Sequence, residues 1–261
     1  LLLVAADDGV MPQTREHLAV LSLLGLKRAA VVVTKADRAE PERMREVCAE
    51  SAALVAPTAL AGSPVLAVSA HSGAGLDALK ALLFEQAAQT TERIADAAFR
   101  LAIDRAFTLD GVGTVITGTV HAGSVNIGDE LQLVPGEVTV RVRSLHAQNQ
   151  VTGSASAGQR CAIGLAGVVK DQIERGQWLV APEVALSTNR LDAELTLWHG
   201  ETKPLRSGQK VHVHVGAAST QGTLAVLDRD GLAPGDSARV QRVLSTSLGA
   251  WHGDRVVLGY A

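Results

Sequence analysis

"VVVTKADRAE", residues 31–40, decides the fold. Three valines form a strand that only a sheet interior can cover, and it stops on Thr34-Lys35-Ala36-Asp37. A strand ending on a lysine and an aspartate, one small residue apart, puts two charges beyond its carboxyl end. Open parallel α/β sheets bind ligands there. Upstream, the apolar run Leu1–Ala6 closes on the turn Asp7-Asp8-Gly9, and Pro12 suits the first turn of a helix. Leu18, Leu21 and Leu24 then recur at helical spacing before Gly25. Downstream, Pro41 opens a second helix to about Leu54, Val65–Ser69 reads as a third strand, and Leu76–Gln89 as a third helix with Leu76, Leu79, Leu82 and Leu83 on one side. Alternating strands and helices, with strands apolar on both faces, predict a parallel sheet covered by helices.

After about Ala97 the period becomes two, with Phe99, Leu101, Ile103 and Phe107 on one parity. Glycine-bearing turns follow in "LDGVG", "HAGSVNIGDE" and "VPGEV", and strands continue to the end. A proline and polar residues near 182–190 divide two all-β units, expected as compact barrels. The expected domains are 1–92, 97–183 and 188–261.

Composition narrows the function. Of 261 residues 47% are apolar, which is enough for packed cores, and 3% are aromatic, which disfavours a base-stacking platform for single-stranded nucleic acid. Net charge is −3, and no segment carries the basic excess of a nucleic-acid-binding domain. Cys48 and Cys161 are too few for a disulfide scaffold or a zinc site, which fits a reducing, cytoplasmic location. There is no apolar run of bilayer length and no signal peptide, so no membrane partner is expected. The opening "LLLVAADDGV" has no Met and reads as a chain entered inside a domain.

The strand ends suggest a ligand. A carboxylate at Asp37 can accept from both N1–H and the 2-amino group of guanine, a pair of donors that adenine lacks. Lys35 can lay its aliphatic stem on the base plane, and a backbone N–H after Ser69 can meet the guanine O6. The competing reading makes Lys35 and Asp37 solvated loop residues; the second loop at Ser69-Ala70 weighs against it. "KVHVHV" places His212 and His214 on one strand face with no third metal ligand nearby in sequence, so no metal site is expected. Trp178, Trp198 and Trp251 read as core or barrel-end residues.

These loops resemble those of translational GTPases related to elongation factor Tu. "AADDGVMPQTREHL" is similar to the segment after their second switch, "TKAD" to their Asn-Lys-x-Asp loop and "SAHSGAGLDAL" to their Ser-Ala loop. The resemblance implies that Thr34, Lys35, Asp37, Ser69 and Ala70 hold guanine, with Thr34 replacing the usual Asn. It implies GTP or GDP with Mg as the ligand. No G-x-x-x-x-G-K-[ST] string occurs, and the D-x-x-G strings at Asp110–Gly113 and Asp228–Gly231 read as turns. The expected fold class is therefore the C-terminal half of a P-loop GTPase-type parallel sheet followed by two all-β barrels. The chain is expected to be a fragment without N-terminal P-loop and switch regions, inactive alone, with no catalytic residue assigned.

"FRLAIDRAFTLDGVGTVITGTVHAGSVNIGDELQL" resembles the second domain of the same proteins, and "VRVRSLHAQNQ" with "AGQRCAIGLAGV" resembles the selenocysteine-specific branch. That branch implies GTP-dependent delivery of selenocysteinyl-tRNA to the ribosome at recoded UGA codons. It also implies an mRNA hairpin bound by C-terminal winged-helix modules that this chain lacks, and a monomer. The resemblance further implies that Asp104, Arg105 and Arg160 face the aminoacyl group. On an unbroken strand Asp104 and Arg105 point to opposite faces, so a shared pocket requires a bulge. The alternatives are a general aminoacyl-tRNA carrier of the Tu type and a non-catalytic β-barrel module on a decayed GTPase fold.

Overall fold

A computed structural model describes residues 1–89 and 97–260. The chain forms two compact units, Leu1–Thr91 and Glu92–Ala261. The expected end of the first domain at residue 92 lies outside the described residues.

In the first unit, β1 (Leu2–Ala5), β2 (Val31–Thr34) and β3 (Val65–Ala67) form a parallel sheet in that order. Between them run α1 (Pro12–Leu23) and α2 (Pro41–Val55), and α3 (Leu76–Ala88) follows β3. Both α1 and α2 begin on proline, whose fixed φ suits a first turn and whose missing N–H costs nothing there. Leu2, Val4, Leu18, Val31, Val33, Val47, Val55 and Leu60 make the core. Each such side chain stabilises by about 1.5–3 kcal/mol relative to exposure. Two features depart from the sequence reading. Leu3 is 60% exposed, so β1 is covered on one face only, and α3 buries none of its residues despite its leucines.

The second unit begins with β4 (Arg100–Leu109), β5 (Gly113–Ala122), β6 (Ser124–Asn126), β7 (Glu130–Val134) and β8 (Val138–Ala147). It continues through β9 (Gln150–Thr152), β10 (Ser154–Ser156), β11 (Arg160–Ala166) and β12 (Trp178–Val180). The sheet order β11-β5-β4-β12-β7-β8-β9 closes on itself, because β11 also pairs with β8. Leu101, Ile103, Ile116, Leu133, Leu145, Ile163 and Leu179 fill the barrel. The two D-x-x-G strings fall at the β4–β5 turn and ahead of the short strand at Gly231.

The remainder holds β13 (Thr188–Thr196), β14 (Leu205–Arg206), β15 (Lys210–Val215) and β16 (Ala218–Val226). It ends with β17 (Gly231–Leu232), β18 (Ser237–Leu248) and β19 (Val256–Tyr260). Its main sheet runs β13-β18-β16-β15-β19, with β14 and β17 paired separately. The expected fold class is corrected here. The parallel sheet is the N-terminal element of the chain, within residues 2–67, rather than a C-terminal half. Only the middle β unit closes, because among the described residues β13 and β19 are edges of the last sheet with no pairing between them.

Arg100 joins the two β parts. Its Nη1 donates to both carboxylate oxygens of Asp254, at 3.0 and 3.2 Å. Its guanidinium stands 4.5 Å from the Trp251 ring and 5.6 Å from that of Trp178. The two tryptophans meet edge to face at 5.2 Å, and Trp251 Nε1–H donates to the Val184 carbonyl at 2.9 Å. Aromatic pairs and cation–π contacts out of water contribute about 0.5–2 kcal/mol each.

Candidate functional site

The first constellation lies beyond the carboxyl ends of the parallel strands. In register, Ala5 stands beside Thr34 and Val33 beside Ala67, so the three loops start side by side. Thr34 Oγ1 donates to the Val4 carbonyl at 3.4 Å, a link from β2 to β1 in place of an asparagine amide. Lys35 takes a left-handed backbone, φ 57° and ψ 37°, and a 3₁₀ turn over Ala36–Arg38 follows. This turns lysine and aspartate apart. Lys35 Nζ donates to both oxygens of Asp7, each at 2.9 Å, while Asp37 accepts from the Ser69 hydroxyl on the opposite loop.

Ser69 is fully buried and organises the third loop. Its Oγ accepts from the backbone N–H groups of His71 and Ser72 at 3.2 and 3.1 Å, and its own N–H donates to the Ala74 carbonyl at 2.9 Å. Ala36 N–H donates to the Val68 carbonyl at 3.0 Å, a second tie between the loops. Gly75 is required here. Its φ is +73°, and a Cβ would stand 2.2 Å from the Ala67 carbonyl oxygen. The Ser69 hydrogen bond, helped by the aspartate's own backbone N–H, lowers the Asp37 carboxyl pKa from its ordinary value against the opposing effect of burial. An ionised carboxylate is an acceptor only, which suits it to a pair of donors. Thr34, Lys35, Asp37, Ser69 and Ala70 thus lie on the loops of two adjacent strand ends, those of β2 and β3. The sequence reading missed Asp7, whose only signal was its place in a turn after β1.

The second constellation is on the barrel. β4 bulges between Ile103 and Arg105: Ile103 stands opposite Gly118 and Arg105 opposite Thr117, with Asp104 as the extra residue. Gly118 makes the bulge possible, because a Cβ there would be 2.1 Å from the Ala102 carbonyl oxygen. Asp104 then meets Arg160 of β11 in a two-point ion pair, with Nη1 on Oδ2 and Nη2 on Oδ1, the latter at 3.1 Å. Thr117 Oγ1 donates to the same carboxylate at 2.8 Å. The Arg160 hydrogen bond lowers the Asp104 pKa, opposed by burial and reinforced by Thr117, Arg160's charge and that of Arg105. Arg105 is exposed and makes no ion pair among the described residues. A cavity of about 420 Å³ opens beside this cluster, lined in part by Thr117, His146, Asn149, Arg160 and Cys161. Burial pushes the Cys161 thiol up to about 11, so it is a packing residue rather than a nucleophile.

Among the described residues no group of three or more His, Cys, Asp or Glu is placed to hold a metal. His212 and His214 share the outward face of β15, opposite Gln221 and Ser219. No described helix is long and apolar enough to cross a membrane.

Three family models match in succession. The elongation factor Tu GTP binding domain matches residues 1–94, elongation factor Tu domain 2 matches 113–180, and the β-barrel domain of selenocysteine-specific elongation factor matches 192–259. All three models describe domains of elongation factors. The chain as a whole is similar to the selenocysteine-specific factors. It is 38% identical over 258 residues to the selenocysteine-specific elongation factor of Desulfomicrobium baculatum, covering 99% of this chain and 41% of the relative. It is 41% identical over 259 residues to that of Escherichia coli K12, covering 99% and 40%. It superimposes on translation elongation factor SelB from Methanococcus maripaludis, in complex with the GTP analogue GppNHp, with a TM-score of 0.89 at 27% identity, covering 99% of this chain and 60% of that one. The chain spans about two fifths of the length of these curated relatives. The match over 1–94 also corrects the expected fragment: the elongation factor Tu GTP binding domain model matches from the first residue through the whole first unit, where the sequence reading expected that domain's N-terminal part to be missing.

Proposed function

We propose that this chain is part of a translation elongation factor that carries selenocysteinyl-tRNA to the ribosome at recoded UGA codons, using GTP. The observation that carries the reading is the coupling of the β2 and β3 loops through Asp37 and Ser69 in a chain similar over 99% of its length to selenocysteine-specific factors. In this reading Asp37 accepts from the guanine edge, Lys35 covers its face, and Ser69 and Ala70 shape the loop that meets O6. GTP hydrolysis and contacts with the ribosome and an mRNA hairpin belong to the full-length factor. No residue described here is assigned to magnesium.

The barrel cluster is the proposed aminoacyl site. A selenol is largely an anion at neutral pH, whereas serine's hydroxyl is neutral, so a cationic pocket can separate selenocysteinyl-tRNA from seryl-tRNA. Arg105 supplies a cation that makes no ion pair among the described residues, and Arg160 one oriented by Asp104 and Thr117. The bulge at Asp104 lets neighbouring residues of β4 serve one site. The test measures binding of both tRNAs to the GTP-bound full-length protein, with Arg105→Ala and Arg160→Ala. The expected result is a smaller gap between the two affinities. Equal losses for both tRNAs would instead assign the arginines to tRNA phosphate.

A further inference from the structure

We infer that Asp7 is a positioning residue of the nucleotide site, holding the Lys35 ammonium so that the lysine stem is a pre-formed platform for a purine face; this rests on reading Thr34–Asp37 as the guanine loop. The reading of the loop itself gives Asp7 no role. It lies on a different loop, two residues beyond the end of β1, and reaches Lys35 because β1 and β2 are adjacent and in register.

The geometry is specific. Lys35 Nζ is the same 2.9 Å from both carboxylate oxygens of Asp7, against 3.6 Å from Asp8 Oδ2. Arg38 comes to 4.0 Å from the same Asp7 carboxylate, on the side of the 3₁₀ turn. Asp7 is held by a tight turn in which Gly9, at φ +76°, donates its N–H to the Ala5 carbonyl at 2.8 Å. Asp8 N–H adds a hydrogen bond to Asp7 Oδ1 at 3.2 Å. The side chain of Asp7 is 32% exposed, the more sheltered of the two neighbouring aspartates. Each partner's pKa moves in the direction the other's charge favours, Asp7 down and Lys35 up.

The arrangement matters because a lysine is a poor platform by itself. Its stem has four rotatable bonds, and pinning them on a base costs conformational entropy. Lys35 leaves β2 through a left-handed residue and is anchored at its far end by Asp7, so both ends of the stem are fixed before a nucleotide arrives. Asp37 is fixed separately by Ser69. Face contact and edge recognition are thereby assigned to two independent anchors, one on each flanking loop.

The experiment measures binding and dissociation of a fluorescent GDP and of XDP with the full-length protein. Asp7→Asn keeps the shape and removes the charge. The expected result is GDP binding weaker by roughly two- to fivefold, the range of a partly exposed ion pair, with the GDP-to-XDP preference unchanged. The loss should disappear in a Lys35→Met background, shrink at molar salt, and be largely restored by Asp7→Glu. Unchanged GDP affinity in Asp7→Asn, or an equal loss in the Lys35→Met background, overturns the inference. Asp37→Asn is the control for the underlying reading and should move preference toward XDP. If it does not, the guanine assignment fails; if it does while Asp7→Asn is silent, only the role of Asp7 fails.

Discussion

Arg242 offers a stability test with an unusual sign. It lies on β18 at the inward parity, between Val240 and Leu244, facing Leu191 on β13 and Leu224 on β16. Its side chain is 1% exposed, and its Nε has no hydrogen-bond partner among the described residues. Burial pushes its guanidinium pKa down, opposed only by the charge of Asp192, which is itself hydrogen-bonded to Gln241 at 2.9 Å. Replacing poorly compensated buried charge with apolar residues of similar volume stabilises proteins by about 1–4 kcal/mol. Methionine is smaller, and the space it leaves costs about 1 kcal/mol. Arg242→Met should therefore stabilise the second unit by about 1–2 kcal/mol, raising its unfolding midpoint by roughly 2–8 °C. Thermal and chemical unfolding followed by tryptophan fluorescence checks this, with Arg242→Lys, which keeps the charge, as the control. A fall in the midpoint for Arg242→Met would show that the guanidinium has a partner worth more than its desolvation.

Two further outcomes follow from the barrel. Because the folded-state pKa of Asp104 is depressed, the contribution of the Asp104–Arg160 pair is complete above the ordinary carboxylate value of 3.8 and is lost as pH falls through the lowered value. Arg160→Ala should move the Asp104 titration upward in a carboxyl-carbon NMR experiment, and an unmoved titration would refute the pairing. Gly118→Ala forces a methyl group against the Ala102 carbonyl and Leu101 Cδ2, 2.1 and 2.6 Å away. It should destabilise by about 1–3 kcal/mol, read as a drop of several degrees in the unfolding midpoint.

The local parts of this fold were legible in the sequence. Pro12 and Pro41 mark the starts of α1 and α2, and the valine run ending at Thr34 is β2. The gathering of Asp37 with Ser69 was legible too, because adjacent parallel strands end on the same side of a sheet. What escaped the reading was non-local. Asp7 looked like an ordinary turn aspartate, and only the register of β1 with β2 carries it to Lys35. The bulge at Asp104 depends on a glycine fourteen residues downstream on another strand, which a period-two pattern cannot reveal. Barrel closure through β11 and β8, and its absence between β13 and β19, are likewise matters of pairing rather than of composition. The burial of Arg242 is of the same kind, since alternation gives parity but not which parity faces inward.

The Arg100 contacts have a consequence for recognition. With its guanidinium against Trp178 and Trp251 and salt-bridged to Asp254, turning one β part against the other would strip a cation of its rings and its carboxylate together. Arg100 thereby acts as a latch: a hinge between the two β parts would have to release three contacts at once, so they should turn as one body when a ligand pulls on either.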